Sequence, residues 1–378
     1  MTDIVIAAYV RSPFHFARKG ALARVRPDDL AAQVVRGLIE RTGVDPATIE
    51  DLQLGCAFPE GEQGLNLGRL VALLADLPLA VGGVTVNRFC GSSMQAIHNA
   101  AGAIALGAGE AYICAGVESM TRVPMMGFNP LPNPGLRERM PGAYMGMGET
   151  AENLARKYGI PRDEQEAFAV ESHRRAAAAR AEGRFADEIV PIEGPDGTVT
   201  EDGCIRPDTS LEALAGLAPA FMADGTVTAG TSSPLTDGAS ATLVCSAAYA
   251  ERHGLEPLAR IRSFAVAGCA PEIMGIGPVL ATRKALERAG LELEQIDVVE
   301  LNEAFAAQVL ACLRELPIPS ERLNIDGGAI ALGHPLGATG ARITGKAAAL
   351  LRRTGGRYAL ATQCIGGGQG IATILEAL

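Results

Sequence analysis

The chain carries a second copy of part of itself. Leu38-Ile39-Glu40-Arg41-Thr42-Gly43-Val44 resembles Ala285-Leu286-Glu287-Arg288-Ala289-Gly290-Leu291 at an offset of 287 − 40 = 247 residues, and Ile49 falls on Ile296 at the same offset. A second set pairs Gly91 with Gly337, Ile97 with Ile343, Ala101 with Ala347 and Gly109 with Gly355, at 337 − 91 = 246. Two matches at nearly one spacing point to one α/β unit used twice. Such a unit buries both faces of its sheet under helices, so the expected architecture is a pseudo-twofold pair of halves, roughly residues 1–120 and 249–378.

A length of 378 residues exceeds one ordinary core, in keeping with two halves. With 45 glycines, 4% aromatic residues and no tryptophan, the helices and strands are expected to approach closely. A net charge of −10 argues against binding to nucleic acid or an anionic membrane, while leaving room for a local basic pocket. The eight cysteines, at positions 56, 90, 114, 204, 245, 269, 312 and 364, form no CxxC pair, so no metal site is expected. Residues 4–10 are too short for a secretory leader and read as a first strand. No apolar run reaches membrane-spanning length, so the expected home is the reducing cytoplasm, where thiols stay free.

Hydrophobic periodicity places a helix from Leu30 to Ile39 ending near Gly43, a strand region at 49–54, a helix at 66–77 and an extended run at 79–86. Residues 111–115 form a buried strand that reaches Glu118. The composition then changes: residues 124–144 hold five prolines, three glycines and three methionines and read as irregular loop, either a ligand wall, a subunit contact or plain loop packing. Helices follow at 151–158 and 162–180, a strand edge at 187–192 and a weak helix at 210–216. Buried strands return at 241–245 and 259–266. The block 121–248 reads as an insertion, with about 241–248 completing the first half.

Four stretches carry chemistry. Cys90 lies in Asn87-Arg88-Phe89-Cys90-Gly91-Ser92-Ser93-Met94-Gln95, between the extended run and a helix whose Met94, Ile97, Ala101 and Ile104 share one face. A thiol at a helix start is offered free N–H groups and a positive dipole end, which favour the thiolate. Gly91 is expected to let another group approach the sulfur. A buried structural thiol is the alternative. In residues 324–340 five glycines surround His334, a spacing read as a shaped loop feeding a helix at 341–351, with a purely structural histidine as the alternative. Cys364 leads Ile365-Gly366-Gly367-Gly368, a loop able to present N–H groups to an anion. Glu300-Leu301-Asn302-Glu303-Ala304-Phe305 puts an acid, an amide and a ring where a strand meets a helix; Asn302 could cap that helix and Glu303 could be a solvated charge. Two thiols and an imidazole at equivalent strand ends suit attack on a carbonyl by one thiolate, activation by His334 and proton transfer by the other cysteine.

These motifs, in this order, resemble the thiolase family over essentially the whole chain, and the form around Cys90 is most like the degradative 3-ketoacyl-CoA thiolases. The resemblance implies two similar βαβαβαββ halves in a layered α/β/α/β/α arrangement with an inserted loop domain. It implies reversible CoA-dependent cleavage of 3-ketoacyl-CoA, or, as the alternative, a short-chain acetyl-CoA acetyltransferase. Coenzyme A would be a substrate, with no permanently bound cofactor. Cys90 matches the acylated nucleophile, His334 its activator and Cys364 the acid/base. Asn302 matches a water-holding residue of one oxyanion hole, and the N–H groups of Cys90 and Gly366 match the second. Ser233 and Ala229 match pantetheine contacts, Arg206 a contact near the nucleotide end, and Met147, Met274 and Phe305 acyl-pocket or tunnel residues. Homodimers or dimers of dimers are implied, with a multifunctional fatty-acid-oxidation subunit as a further partner. Gly146, Pro234 and Ala218 depart from the family pattern in the CoA loops. A carrier-protein or hydroxymethylglutaryl-CoA synthase of the same fold would lack the Cys364 thiol, and a non-catalytic scaffold would not keep Cys90, His334, Cys364 and Asn302 together.

Overall fold

A computed structural model of the chain describes residues 3–378. Strand β1 (Ile4–Arg11) leads to helix α1 (Pro27–Thr42), β2 (Asp51–Gly55), α2 (Leu67–Leu74), β3 (Gly82–Val86), α3 (Ser92–Ala105) and β4 (Ala111–Ser119). A long excursion holds helices α4 (Met147–Tyr158) and α5 (Arg162–Ala181) before β5 (Thr236–Ser246) returns. The second half runs β6 (Ala259–Gly268), α6 (Gly277–Ala289), β7 (Val298–Leu301), α7 (Ala306–Glu315), α8 (Leu336–Thr354), β8 (Tyr358–Ile365) and β9 (Gln369–Glu376).

The repeat in the sequence is a repeat in topology. The first sheet is ordered β3-β2-β4-β5-β1, with β3, β2 and β4 parallel and β5 antiparallel to both its neighbours. The second, β7-β8-β9-β6, again pairs its first two strands in parallel and the rest antiparallel, and Leu323 bridges Val299 in parallel where a counterpart of β3 would stand. Among the described residues the sheets meet edge to edge at Val5↔Arg260 and Ile6↔Ala259. Helices α3 and α8 pack on each other between the sheets, while α1 and α6 cover the outer faces. This is the layered α/β/α/β/α arrangement. The matched glycines explain part of the sequence repeat: Gly43 (φ 63) closes α1 and Gly290 (φ 67) closes α6 in the left-handed conformation that glycine adopts without steric cost.

Several boundaries differ from the sequence reading. The stretch around Gly337 and Gly340 is the first turn of α8, not a loop: a Cβ on Gly337 would lie 2.5 Å from the Val117 carbonyl oxygen, and one on Gly340 would run into the Met94 backbone nitrogen of α3. The glycines are there so that α8 can lie against β4 and α3. β3 begins at Gly82, leaving Leu79 80% exposed. Helix α2 stops at Leu74, and Asp76 sits at φ 58 beyond it. Residues 187–192 make only a bridge from Ile189 to Arg11 before a short hairpin, Ile192–Gly194 with Gly197–Val199. The first sheet recovers its chain at Thr236, earlier than expected.

The excursion is tied to both halves by buried charge. Arg11, fully buried on β1, bonds Glu188 at 2.8 Å and Asp202 at 2.6 Å, and Lys346 of α8 reaches Glu188 at 3.0 Å and Asp326 at 2.8 Å. Taking one partner away would strand a charge in the interior, at a cost of about 3–5 kcal/mol.

Candidate active site

The turn that carries Cys90 is tight and strained. A short 3-10 turn, Phe89–Gly91, joins β3 to α3, and Phe89 takes φ 44, a left-handed conformation that costs a non-glycine residue about 1–2 kcal/mol. Side chains hold it: the Phe89 N–H donates to Asn87 Oδ1 (2.9 Å), the Arg88 N–H to Ser92 Oγ (2.9 Å), and Gln363 Nε2 donates to the Cys90 carbonyl (2.5 Å). Gly91 does not open a path to the sulfur. A Cβ there would meet Ile365 Cδ1 at 2.7 Å, so its absence lets the turn lie on the end of β8.

The sulfur faces the N–H of Gly366 and its own N–H. Burial nevertheless pushes the thiol up to about 11; those two donors pull it down, and the buried Glu118 carboxylate adds to the rise. The helix start therefore does not produce a resting thiolate, because loss of hydration outweighs it. Cys364, fully buried in the last turn of strand β8, is raised still further, by burial first and by the neighbouring Cys90 second.

His334 lies just before α8, 4% exposed, with burial and then the Arg342 charge lowering it to about 3. Its backbone N–H donates to Thr236 Oγ1 at 3.0 Å. Its Nδ1 is 2.6 Å from Thr339 Oγ1, whose own proton points to the Pro335 carbonyl at 3.0 Å. That assignment makes Nδ1 the protonated nitrogen and Nε2 the acceptor. Asn302 Nδ2 lies 3.3 Å from Nε2. Asn302 is not a helix cap: α7 starts beyond Phe305 without a side-chain cap. Glu303 is not solvated. It is 1% exposed, accepts from Ser172 Oγ (2.6 Å), Asn324 Nδ2 (2.8 Å) and the Ile330 N–H (3.2 Å), and so anchors the loop that precedes His334.

Cys90, Cys364 and His334 open on one cavity of about 860 Å³, shared with Met147, Arg206, Ala229, Ser233, Met274 and Phe305. Asn302 and Gly366 stand behind this wall, each touching a residue that forms it, and Gly91 and Glu303 also lie outside its lining. The segment bearing Ala229 and Ser233 is pinned to the Phe305 stretch by a Ser232–Phe305 bridge and by the Ser233 N–H on the Ala304 carbonyl (3.0 Å). Gly146 and Pro234 line the cavity; Ala218 lies outside it. Most of the wall is apolar; its cations Arg206 and Lys19 both lie by the Phe16 ring, at 5.8 and 4.6 Å from its centroid, and Glu149 adds a carboxylate. The cavity is an apolar space with two cations gathered at one aromatic ring.

Two family models match the chain end to end, the N-terminal thiolase domain over residues 4–248 and the C-terminal thiolase domain over residues 255–377. The chain belongs to the thiolase family. It is 49% identical to a 3-ketoacyl-CoA thiolase of Bacillus subtilis and 51% identical to one of Idiomarina loihiensis, in each case over all of both chains. Among solved structures it is similar to human mitochondrial 3-ketoacyl-CoA thiolase in complex with CoA, at 40% identity and a TM-score of 0.92 over 100% of this chain and 98% of that one. It is equally similar in shape to the Bacillus anthracis acetyl-CoA acetyltransferase, at 42% identity and a TM-score of 0.92 over 100% of this chain and 99% of that one.

Three residues of this thiolase's site escaped the sequence reading. Glu118, at the end of β4, accepts from the Ala57 N–H (2.8 Å), Gln63 Nε2 (2.8 Å) and the Gly337 N–H (2.9 Å), joining the loop after β2 to the start of α8. An acid closing a wholly buried strand was the available signal. Thr339 sits five residues past His334, and Lys19 lies in a loop; neither has a pattern that marks it.

Proposed function

We propose that this chain is a 3-ketoacyl-CoA thiolase that works through an acyl group on Cys90. The observation that carries the reading is the meeting of two thiols and a neutral imidazole in one apolar cavity, with two N–H groups aimed at the first sulfur.

Cys90 Sγ adds to the keto carbon of the substrate while its proton passes to His334 Nε2. A thiol held near 11 gives up its proton only as the new bond forms, so attack and proton transfer go together. The C2–C3 bond then breaks, and the acetyl-CoA enolate takes a proton from Cys364. Burial keeps that thiol protonated until a strongly basic carbon arrives. Free CoA returns a proton to Cys364 and attacks the thioester, and His334 gives its proton back to Cys90. The Cys90 and Gly366 N–H groups stabilise the oxyanion of the thioester steps, and Asn302 with His334 serves the other oxyanion. Met147, Met274 and Phe305 wall the acyl and pantetheine passage; Ala229 and Ser233 hold pantetheine; Arg206, with Lys19, meets the phosphates of coenzyme A, which is a substrate here. Condensation is the same path reversed.

The division into halves at 1–120 with 236–248 and at 249–378, around an inserted 121–235, is part of this reading. So is a homodimer. β3 is an edge strand, and Leu65 and Leu79 beside it are 88% and 80% exposed, which in a lone chain invites pairing of strand with strand. Exposed Phe128, Leu131 and Met140 in the inserted block offer the second contact of a dimer of dimers. Among the described residues no helix is long and apolar enough to cross a membrane. The eight unbonded thiols suit the cytoplasm.

Thiolysis of 3-ketoacyl-CoA substrates from short to long chains, followed by loss of enolate absorbance, tests the activity. CoA-dependent cleavage is expected; no cleavage of any chain length would overturn it. Light scattering tests the assembly, with a monomer as the contradicting result.

A further inference from the structure

The imidazole is supported by two rungs between β7 and α8. Glu300 lies on β7 and Asn302 just past its end, where the Asn302 N–H still bonds the Thr362 carbonyl at 3.0 Å and continues the ladder, so the two are two apart on extended backbone and their side chains leave the same face. Thr339 and Arg342 are three apart on α8, so they share its opposite stripe. The upper rung is Asn302, His334 and Thr339, at 3.3 and 2.6 Å. The lower rung is Glu300 Oε2 with Arg342 Nη1, at 2.9 Å. Both residues are almost wholly buried, at 1% and 2% exposure. The pair is joined by one bond only: Glu300 Oε1 and Arg342 Nε have no partner, so it is not built for maximal structural strength.

The Arg342 charge opposes a proton on His334, and it faces the buried Glu303 carboxylate as well as Glu300. Yet the imidazole must carry the Cys90 proton while the acyl bond forms. We propose that Glu300 is a positioning residue for acyl transfer, whose carboxylate offsets the Arg342 charge so that His334 can accept the Cys90 proton. The proposal rests on His334 being the proton acceptor, and so deepens the function argued above. The carboxylate is faced by Arg342 and Lys346 of α8, Asp326 of the loop before α8, Glu188 of the inserted block and Tyr9 of β1. Burial, working against the two cations, raises Glu300 to about 7. Because the raised group is a carboxylic acid, it is neutral below that pH and charged above it. Acylation therefore rises with pH through about 7, a limb that belongs to Glu300 and not to the imidazole.

The test is the pH dependence of single-turnover acylation by acyl-CoA in three full-length variants. Glu300→Gln keeps the shape and one acceptor for Arg342 and removes the charge. Its acylation rate should fall about tenfold at pH 8, with the acyl-CoA KM within about twofold of wild type, and the limb near pH 7 should vanish. Glu300→Gln with Arg342→Met removes both charges. Removing both charges avoids stranding an unpaired cation in the interior, so circular dichroism should show this double variant folded; it should acylate faster than the single variant and also lack the limb. A limb that persists without Glu300, or a double variant no faster than a folded single one, overturns the proposal. Normal acylation by His334→Ala would instead overturn the reading of His334 on which it rests.

Discussion

Helices α3 and α8 are counterparts, one from each half, and they pack on each other between the sheets. Yet their starts are built by opposite means. The α3 start is backbone-made: a strained Phe89, a thiol on the turn itself, and N–H groups of Cys90 and Gly366 at the sulfur. The α8 start is side-chain-made: an imidazole held by Thr339 on one side and Asn302 on the other, with its loop anchored on Glu303 and Glu118. Duplication supplied two equivalent places that face each other. In the proposed mechanism one of them holds an oxyanion and a covalent bond, and the other holds a proton.

The contrast is broken most completely at the nucleophile. Cys90→Ser should abolish both acylation and turnover, because an alcohol is a far poorer nucleophile near neutral pH; mass spectrometry of the acyl-CoA-treated variant should find no acyl group anywhere. Turnover at the wild-type rate would move the nucleophile elsewhere. At the other helix start, His334→Ala should slow acylation by about 10²–10⁴ without moving the site of labelling, the usual cost of a lost general base. Rapid-quench kinetics read this directly, and a loss under about threefold would make the imidazole structural.

A third experiment sharpens the difference in charge state. Since burial holds Cys90 near 11 and His334 near 3, both are neutral over the physiological range. Iodoacetamide should therefore alkylate Cys90 about tenfold faster for each unit of pH between about 6 and 10, following the thiolate fraction. A rate that is flat over this range would mean a preformed thiolate–imidazolium pair. The smallest effect is on the contact between the helices. Gly340→Ala forces a Cβ into the Met94 backbone and should cost about 1–3 kcal/mol, seen as a lower denaturation midpoint with an unchanged slope. An unchanged midpoint would show that α3 and α8 are not in close contact there.

The framework was readable in the sequence because repetition is a property of spacing: the 246 and 247 offsets report two α/β units before any element boundary is known, and Gly43 and Gly290 mark the same helix end twice. Cys90, His334, Cys364 and Asn302 were readable because each stands in an unusual setting of glycines or at a strand end. What misled were effects that depend on the third dimension. The helix start at Cys90 suggests a thiolate, but the opposing loss of water is set by packing with Ala57, Met120 and Leu336, which come from distant parts of the chain. Glycines at 337 and 340 look like loop formers, and only the crossing of α3 and α8 shows that they are close-approach residues inside a helix. Glu303 looked solvated because its partners Ser172 and Asn324 lie far away along the chain.

The division of labour between the two thiols is the central claim, and Cys364→Ala tests it most directly. Acyl-enzyme yield from a preformed short acyl-CoA is measured beside deuterium exchange from solvent into the Cα position of acetyl-CoA. The nucleophile, the imidazole and the N–H pair are all intact in this variant, so Cys90 should still become acylated, though slowly. Loss of the proton carrier should cut exchange and thiolysis by about 10²–10⁴. Exchange at the wild-type rate would contradict the account, because Cys364 would then be a buried structural thiol and the proton at Cα would be moved by another group.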